Sequence, residues 1–105
     1  MIEKAGFYCN MGALTSADRV RHKQLLLKLE AARIEIQELP NGYSFRLQND
    51  LASLAETAEW ISYESKCCPF FDFELLLERD NGPLWLKLRG KEGIKPFIRA
   101  EFGIR

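Results

Sequence analysis

In the stretch PFFDFELLLERDNGPLWLKLRG, Pro69 to Gly90, apolar residues alternate on either side of an Asn-Gly pair. Phe71, Phe73, Leu75 and Leu77 share one parity, and Leu84, Leu86 and Leu88 answer them beyond Asn81-Gly82. Alternation with period two marks strands with one buried face, and Asn-Gly suits the two positive-φ positions of a type I′ turn. A two-residue loop then sets Leu77 opposite Leu86, Leu75 opposite Leu88, and Glu74 opposite Arg89 on the outer face.

The same signal recurs upstream in IEIQELPNGYSFRLQ, Ile34 to Gln48, where a turn at Asn41-Gly42 pairs Ile36 with Leu47. The segments ELPNG and ERDNG, Glu38–Gly42 and Glu78–Gly82, suggest a repeated unit. Parity argues against it, since Leu76 and Lys87, the counterparts of Ile36 and Leu47, fall on the outer face. Shared turn chemistry accounts for the similarity.

Helical spacing fills the rest of the chain. In ALTSADRVRHKQLLLKLEAAR, Thr15 and Asp18 have the spacing of an N-cap and its N3 carboxylate. Val20, Gln24, Leu27, Ala31 and Ile34 recur along one face, widened by Leu25, Leu29 and Ala32, which predicts a long helix with that stripe on the core. Asn49 or Asp50 caps a second helix whose inward face reads Leu51, Leu54, Ala55, Ala58 and Ile61, continued by Ser62 and Ser65. Pro69 stops it by pushing Cys68 out of the α region. A third helix carries Ile94, Phe97, Ile98 and Phe102, with Pro96 tolerable in its first turn. The order is α-β-β-α-β-β-α. It implies an α+β two-layer sandwich, a four-stranded antiparallel sheet from two hairpins with three helices, as a single domain over residues 1–105.

Composition narrows the function. The 15 basic and 15 acidic residues cancel, so no excess positive field exists to hold nucleic acid or an anionic membrane surface. The start of the chain does not read as a signal peptide or a membrane anchor. Three cysteines are too few for a disulfide framework, which suggests reduced thiols and a cytoplasmic location. If oxidised, at least one remains unpaired.

Short connections make each element run opposite to the one before it, so the end of helix 2 lies at the same end of the sandwich as the start of helix 1. Cys9, six residues before the helix-1 cap, is then within loop reach of Cys67 and Cys68. Three convergent thiols suit a soft, thiophilic ion, so Cys9, Cys67 and Cys68 are the candidate metal ligands. A trigonal site for a metalloid or mercury-like ion fits their count. Zinc needs a fourth ligand, water or Asp72, because His22 lies roughly 10 Å along the helix from its cap.

Two alternatives stand beside the metal reading. The first is a non-catalytic ligand-binding or protein-interaction module: Cys68 falls near the Leu54, Ala58, Ile61 face as a small core hydrophobe, and Cys67 points away. The second is a thiol-redox enzyme with Cys67 as nucleophile, although the negative end of a helix dipole raises a thiol's pKa and Lys66 is the only compensating neighbour. No complete catalytic constellation is present, so the chain leans away from enzyme activity. His22, the only histidine, reads as a surface residue between Arg21 and Lys23. Gly90 and Gly93 offer amides to an anion or simply end a strand and cap a helix. Glu35, Glu38, Glu74, Glu78 and Asp72 look like outer-face carboxylates answered by Arg46, Lys87 and Arg89. Trp60 and Trp85 fall off the core stripes and leave aromatic surface for a partner or a homodimer.

CNMGALT (Cys9–Thr15), CCPFFDFEL (Cys67–Leu75) and GPLWLKLRGKEGIKPFIRAEF (Gly82–Phe102) carry a resemblance across nearly the whole chain. The chain resembles a group of small uncharacterised bacterial proteins with a cysteine shortly before a Leu-Thr helix start and a Cys-Cys-Pro-Phe element. That resemblance implies a link to heavy-metal resistance, and with it a role for Cys9, Cys67 and Cys68 as the site.

Overall fold

The computed structural model describes the backbone of residues 3–4 and all of residues 7–104. The readings of a domain spanning residues 1–105 and of a chain start without a leader include residues 1–2, 5–6 and 105, which lie outside the described residues. Two short strands, β1 (Glu3–Lys4) and β2 (Phe7–Tyr8), pair antiparallel and lead through a 3-10 turn at Met11–Ala13 into helix α1 (Ser16–Ala32). The hairpin β3 (Arg33–Leu39) and β4 (Gly42–Leu47) follows, then α2 (Leu51–Cys67), β5 (Asp72–Leu77), β6 (Leu84–Arg89) and α3 (Ile94–Phe102). From α1 onward the order is α-β-β-α-β-β-α. The four long strands form one antiparallel sheet in the order β3-β4-β6-β5, with the helices packed on it. No helix among the described residues is long and apolar enough to cross a membrane.

Both central strands behave as their alternation requires. Tyr43, Phe45 and Leu47 of β4 and Leu84, Leu86 and Leu88 of β6 are buried, and they receive Ile94, Phe97, Ile98 and Phe102 of α3. Both hairpin registers, however, are displaced by two residues from the expected ones. In the first, Leu39 pairs with Gly42 and Ile36 with Phe45, so the turn is centred on Pro40-Asn41. Proline holds φ negative and suits the first central position of an unprimed turn, and neither Asn41 nor Gly42 has positive φ. Gly42 is required for another reason, since a Cβ there would lie 1.8 Å from the Leu88 carbonyl oxygen of the neighbouring strand.

In the second hairpin Leu77 pairs with Leu84, Leu75 with Leu86 and Phe73 with Leu88. A two-residue loop at Asn81-Gly82 would need an N–H from Pro83 to close it, and proline has none. The chain instead places Asp80 and Asn81 at positive φ (61° and 55°), and Pro83 closes the wider loop by accepting from the Glu78 amide at 3.0 Å. A shift of two preserves parity, so the inward face is unchanged. Glu74 and Arg89 still meet, now diagonally, at 2.7 Å.

The helices are rotated relative to the expected faces. Val20, Gln24, Leu27 and Ala31 of α1 are exposed, as is Ile34 beyond it, and the buried residues are His22, Leu25 and Leu29. On α2, Leu51, Ala55 and Ala58 are exposed, whereas Thr57, Trp60, Glu64 and Cys67 are buried. Both buried stripes follow the helical period but carry polar residues at key positions. Buried polar side chains need hydrogen-bond partners, and His22 and Glu64, one on each stripe, supply each other. Around them, Arg21 grips Glu59 through two hydrogen bonds of 2.8 and 2.9 Å, and Lys28 lies 3.2 Å from Glu56.

Candidate metal centre

The centre forms where the last turns of α2 meet the first half of α1 and the segment that precedes it. Thr15 caps α1 by accepting from the Asp18 amide at 3.1 Å, and Asp50 caps α2 by accepting from the Ser53 amide at 2.7 Å. These caps set where each helix begins, and the short β3–β4 hairpin returns α2 antiparallel to α1. At the far end of α2 the Cys68 amide donates to the Glu64 carbonyl oxygen at 2.7 Å, after which Pro69 leaves the helix. The Asn10 amide donates to the Cys67 carbonyl oxygen at 2.7 Å and docks the N-terminal segment onto that end.

All three cysteine sulfurs meet here. Contrary to the expectation of three reduced thiols, Cys9 and Cys68 are joined as a disulfide, their Cα atoms brought to 4.6 Å by the docked N-terminal segment, and the Cys67 thiol lies 3.6 Å from the Cys68 sulfur. With Cys9 and Cys68 bonded to each other, Cys67 is the one free thiol among the three. Cys67 does not point away from the core; its residue is fully buried, because it continues the Trp60–Glu64 stripe.

His22 and Glu64 complete the centre, and neither was expected there. His22 is not a surface residue: its Nε2 lies 2.7 Å from Glu64 Oε1, and both residues are buried. The roughly 10 Å along α1 from its cap does not keep it from the centre, because its partner lies across on the antiparallel helix. The Cys67 thiol sits 3.8 Å from the same Glu64 oxygen, and one donor atom each from His22, Glu64 and Cys67 lie within 4.8 Å of one another. Trp60 is buried beside them rather than displayed as partner surface, its ring centroid 6.4 Å from that of His22. A signal did exist in the sequence: His22, Leu25 and Leu29 on one helix, with Thr57, Trp60, Glu64 and Cys67 on the other, each keep helical spacing.

The electrostatics are those of a shielded acidic site. Burial pushes the Cys67 thiol up to about 12, and the neighbouring Glu64 carboxylate adds to the rise. Glu101 of α3 is also pushed above the ordinary carboxyl range, by burial first and then by Glu64. A thiol so disfavoured as an anion is a poor nucleophile. A bound cation would reverse that preference, because a coordinating thiol gives up its proton to the ion. Outside lies a notch of about 290 Å³ lined by Tyr8, Asn10, Lys66, Cys67, Pro69 and Phe70.

The remaining expectations fall elsewhere. Asp72 opens β5 opposite Arg89. Gly93 caps α3 with φ 93°, a backbone role that glycine serves without strain. Glu35 pairs with Arg46 at 3.8 Å, Glu38 pairs with Lys95 of α3, and Glu78 accepts from the Trp85 indole at 2.6 Å on the outer face of the sheet. Comparison of the chain with family models, with curated proteins and with solved structures gives no match.

Proposed function

We propose that this protein binds a soft metal or metalloid ion through Cys9, Cys67 and Cys68 in its reduced form. The observation that carries the reading is the meeting of three sulfurs from two distant parts of the chain, with Cys67 and Cys68 only 3.6 Å apart. A trigonal ion at metal–sulfur distances near 2.3 Å needs sulfurs about 4 Å apart. Opening the Cys9–Cys68 bond by a dithiol, which takes up the disulfide as its own, releases two thiols, one of which, Cys68, already stands at nearly that spacing from Cys67. Ion binding then expels the thiol protons to solvent. A reducing cytoplasm would suit this form. The burial of Cys67 and its raised pKa argue against the thiol-redox alternative.

Native mass spectrometry of the reduced protein, mixed separately with arsenite and with Hg²⁺ in the presence of a monothiol competitor, tests the proposal. The expected result is one ion per chain, with Cys9→Ser, Cys67→Ser and Cys68→Ser each weakening retention. Retention that is absent, or indifferent to Cys9 and Cys68, overturns it.

A further inference from the structure

The Cys9–Cys68 disulfide leaves a second set of donors untouched. We infer that His22 Nε2, a Glu64 carboxylate oxygen and the Cys67 thiolate form a second, mixed-donor site, sharing only Cys67 with the first, for a borderline divalent cation of the zinc class, available while the disulfide is intact. This goes beyond the three-sulfur reading and does not rest on it, since it uses neither Cys9 nor Cys68.

The geometry is close to what such a cation requires. Zinc bonds nitrogen and oxygen at about 2.0–2.1 Å and sulfur at about 2.3 Å, so a tetrahedral ion needs its donors about 3.3–3.6 Å apart. Cys67 Sγ and Glu64 Oε1 stand at 3.8 Å, and His22 Nε2 and Glu64 Oε1 at 2.7 Å. The His22–Glu64 pair has to open by about 0.6 Å or more to reach that range, and the third pair, His22 with Cys67, lies within 4.8 Å.

Donor chemistry and placement point the same way. One nitrogen, one oxygen and one sulfur suit zinc, cobalt or nickel better than Mg²⁺ or Ca²⁺, which prefer oxygen alone. Glu64 and Cys67 lie three residues apart on one helical face, and His22 faces them from a second helix, so the donors are held by rigid elements. A dication would neutralise a Cys67 thiolate and a Glu64 carboxylate, and a fourth ligand, water, would have to enter from the side of the notch that Cys67 lines.

The test uses the full-length protein with its disulfide intact and no reductant. Titration with Co²⁺ reports coordination directly: tetrahedral sites give intense visible bands, and a thiolate ligand adds a near-ultraviolet charge-transfer band. The expected outcome is one Co²⁺ per chain with both signatures, displaced by one equivalent of Zn²⁺. Cys67→Ser should remove the charge-transfer band. His22→Ala and Glu64→Gln should each weaken binding by at least the roughly 10–100-fold that even outer-shell partners are worth. X-ray absorption of the zinc-loaded wild-type protein is independent of any variant's folding and should show one sulfur among light-atom ligands. A shell of light atoms alone, or cobalt spectra without the thiolate band, overturns the inference. Arsenite or mercury retention by the reduced protein is read separately, so either proposal can fail while the other stands.

Discussion

At the scale of single residues, the His22–Glu64 contact joins the two long helices and costs most when half of it is removed. A buried acceptor left without its donor loses about 1–3 kcal/mol, and more if it is charged. His22→Leu should therefore lower the urea midpoint, whereas the double variant His22→Leu, Glu64→Leu should recover part of the loss, because two apolar groups leave nothing unsatisfied. A double variant less stable than the single one would show that the pair itself stabilises the fold. The Cys67 thiol offers a second measurement. Fully buried, it should react with iodoacetamide only as the unreduced protein unfolds, so labelling and unfolding should share one urea midpoint. Rapid labelling in the absence of urea would show that the notch opens onto the sulfur.

At the scale of elements, the Cys9–Cys68 bond ties the segment before α1 to the end of α2 across 59 residues. Closing a loop of that length is worth about 4 kcal/mol through the entropy of the unfolded chain. The reduced protein should be less stable than the oxidised one by an amount of that order, measured by denaturant unfolding with and without a dithiol. Loss of soft-ion binding on reoxidation, with recovered stability, would tie the two states to the same bond. The hairpins show how element boundaries escape pattern reading. Asn-Gly marked each turn to within two residues, but Pro40 and Pro83 decided which residues occupy it, through a fixed φ in one case and a missing N–H in the other.

At the scale of the whole molecule, opposite charges join neighbouring elements at the surface: α1 to α2, β5 to β6, and α3 to the sheet. Arg21 holds the Glu59 carboxyl below the ordinary glutamate range, Lys95 does the same for Glu38, and Arg89 for Glu74. A carboxyl with a lowered folded-state pKa stabilises the fold fully above its unfolded value, near 4.3, and loses that contribution as pH falls through the folded value. Stability from these pairs should therefore hold level from neutral pH down to that value and decline below it. The exposed positions make the decline shallow and salt-sensitive. Thermal unfolding followed down through the carboxylate range, at low and high salt, checks this. An acid loss unaffected by salt and by Glu59→Gln would assign it to other groups.

Local pattern was enough for the element order from α1 onward, the α+β class, the inward face of the two central strands and of α3, and the end of the sandwich at which Cys9 meets Cys67 and Cys68, but not for the β1–β2 pair or for Ile34 and Leu77, which are exposed. The former follow from local periodicity and from short connections, which act over a few residues and survive a register error of two. Only the tertiary structure decided which faces of α1 and α2 are buried. Hydrophobic periodicity finds a core face when that face is apolar, and here the buried stripes carry His22, Thr57 and Glu64 while Val20, Leu27 and Leu51 face solvent. The residues that build the candidate centre are thus the ones that conceal it. A histidine and a glutamate 42 positions apart look like surface residues until two antiparallel helices bring them within a hydrogen bond of each other.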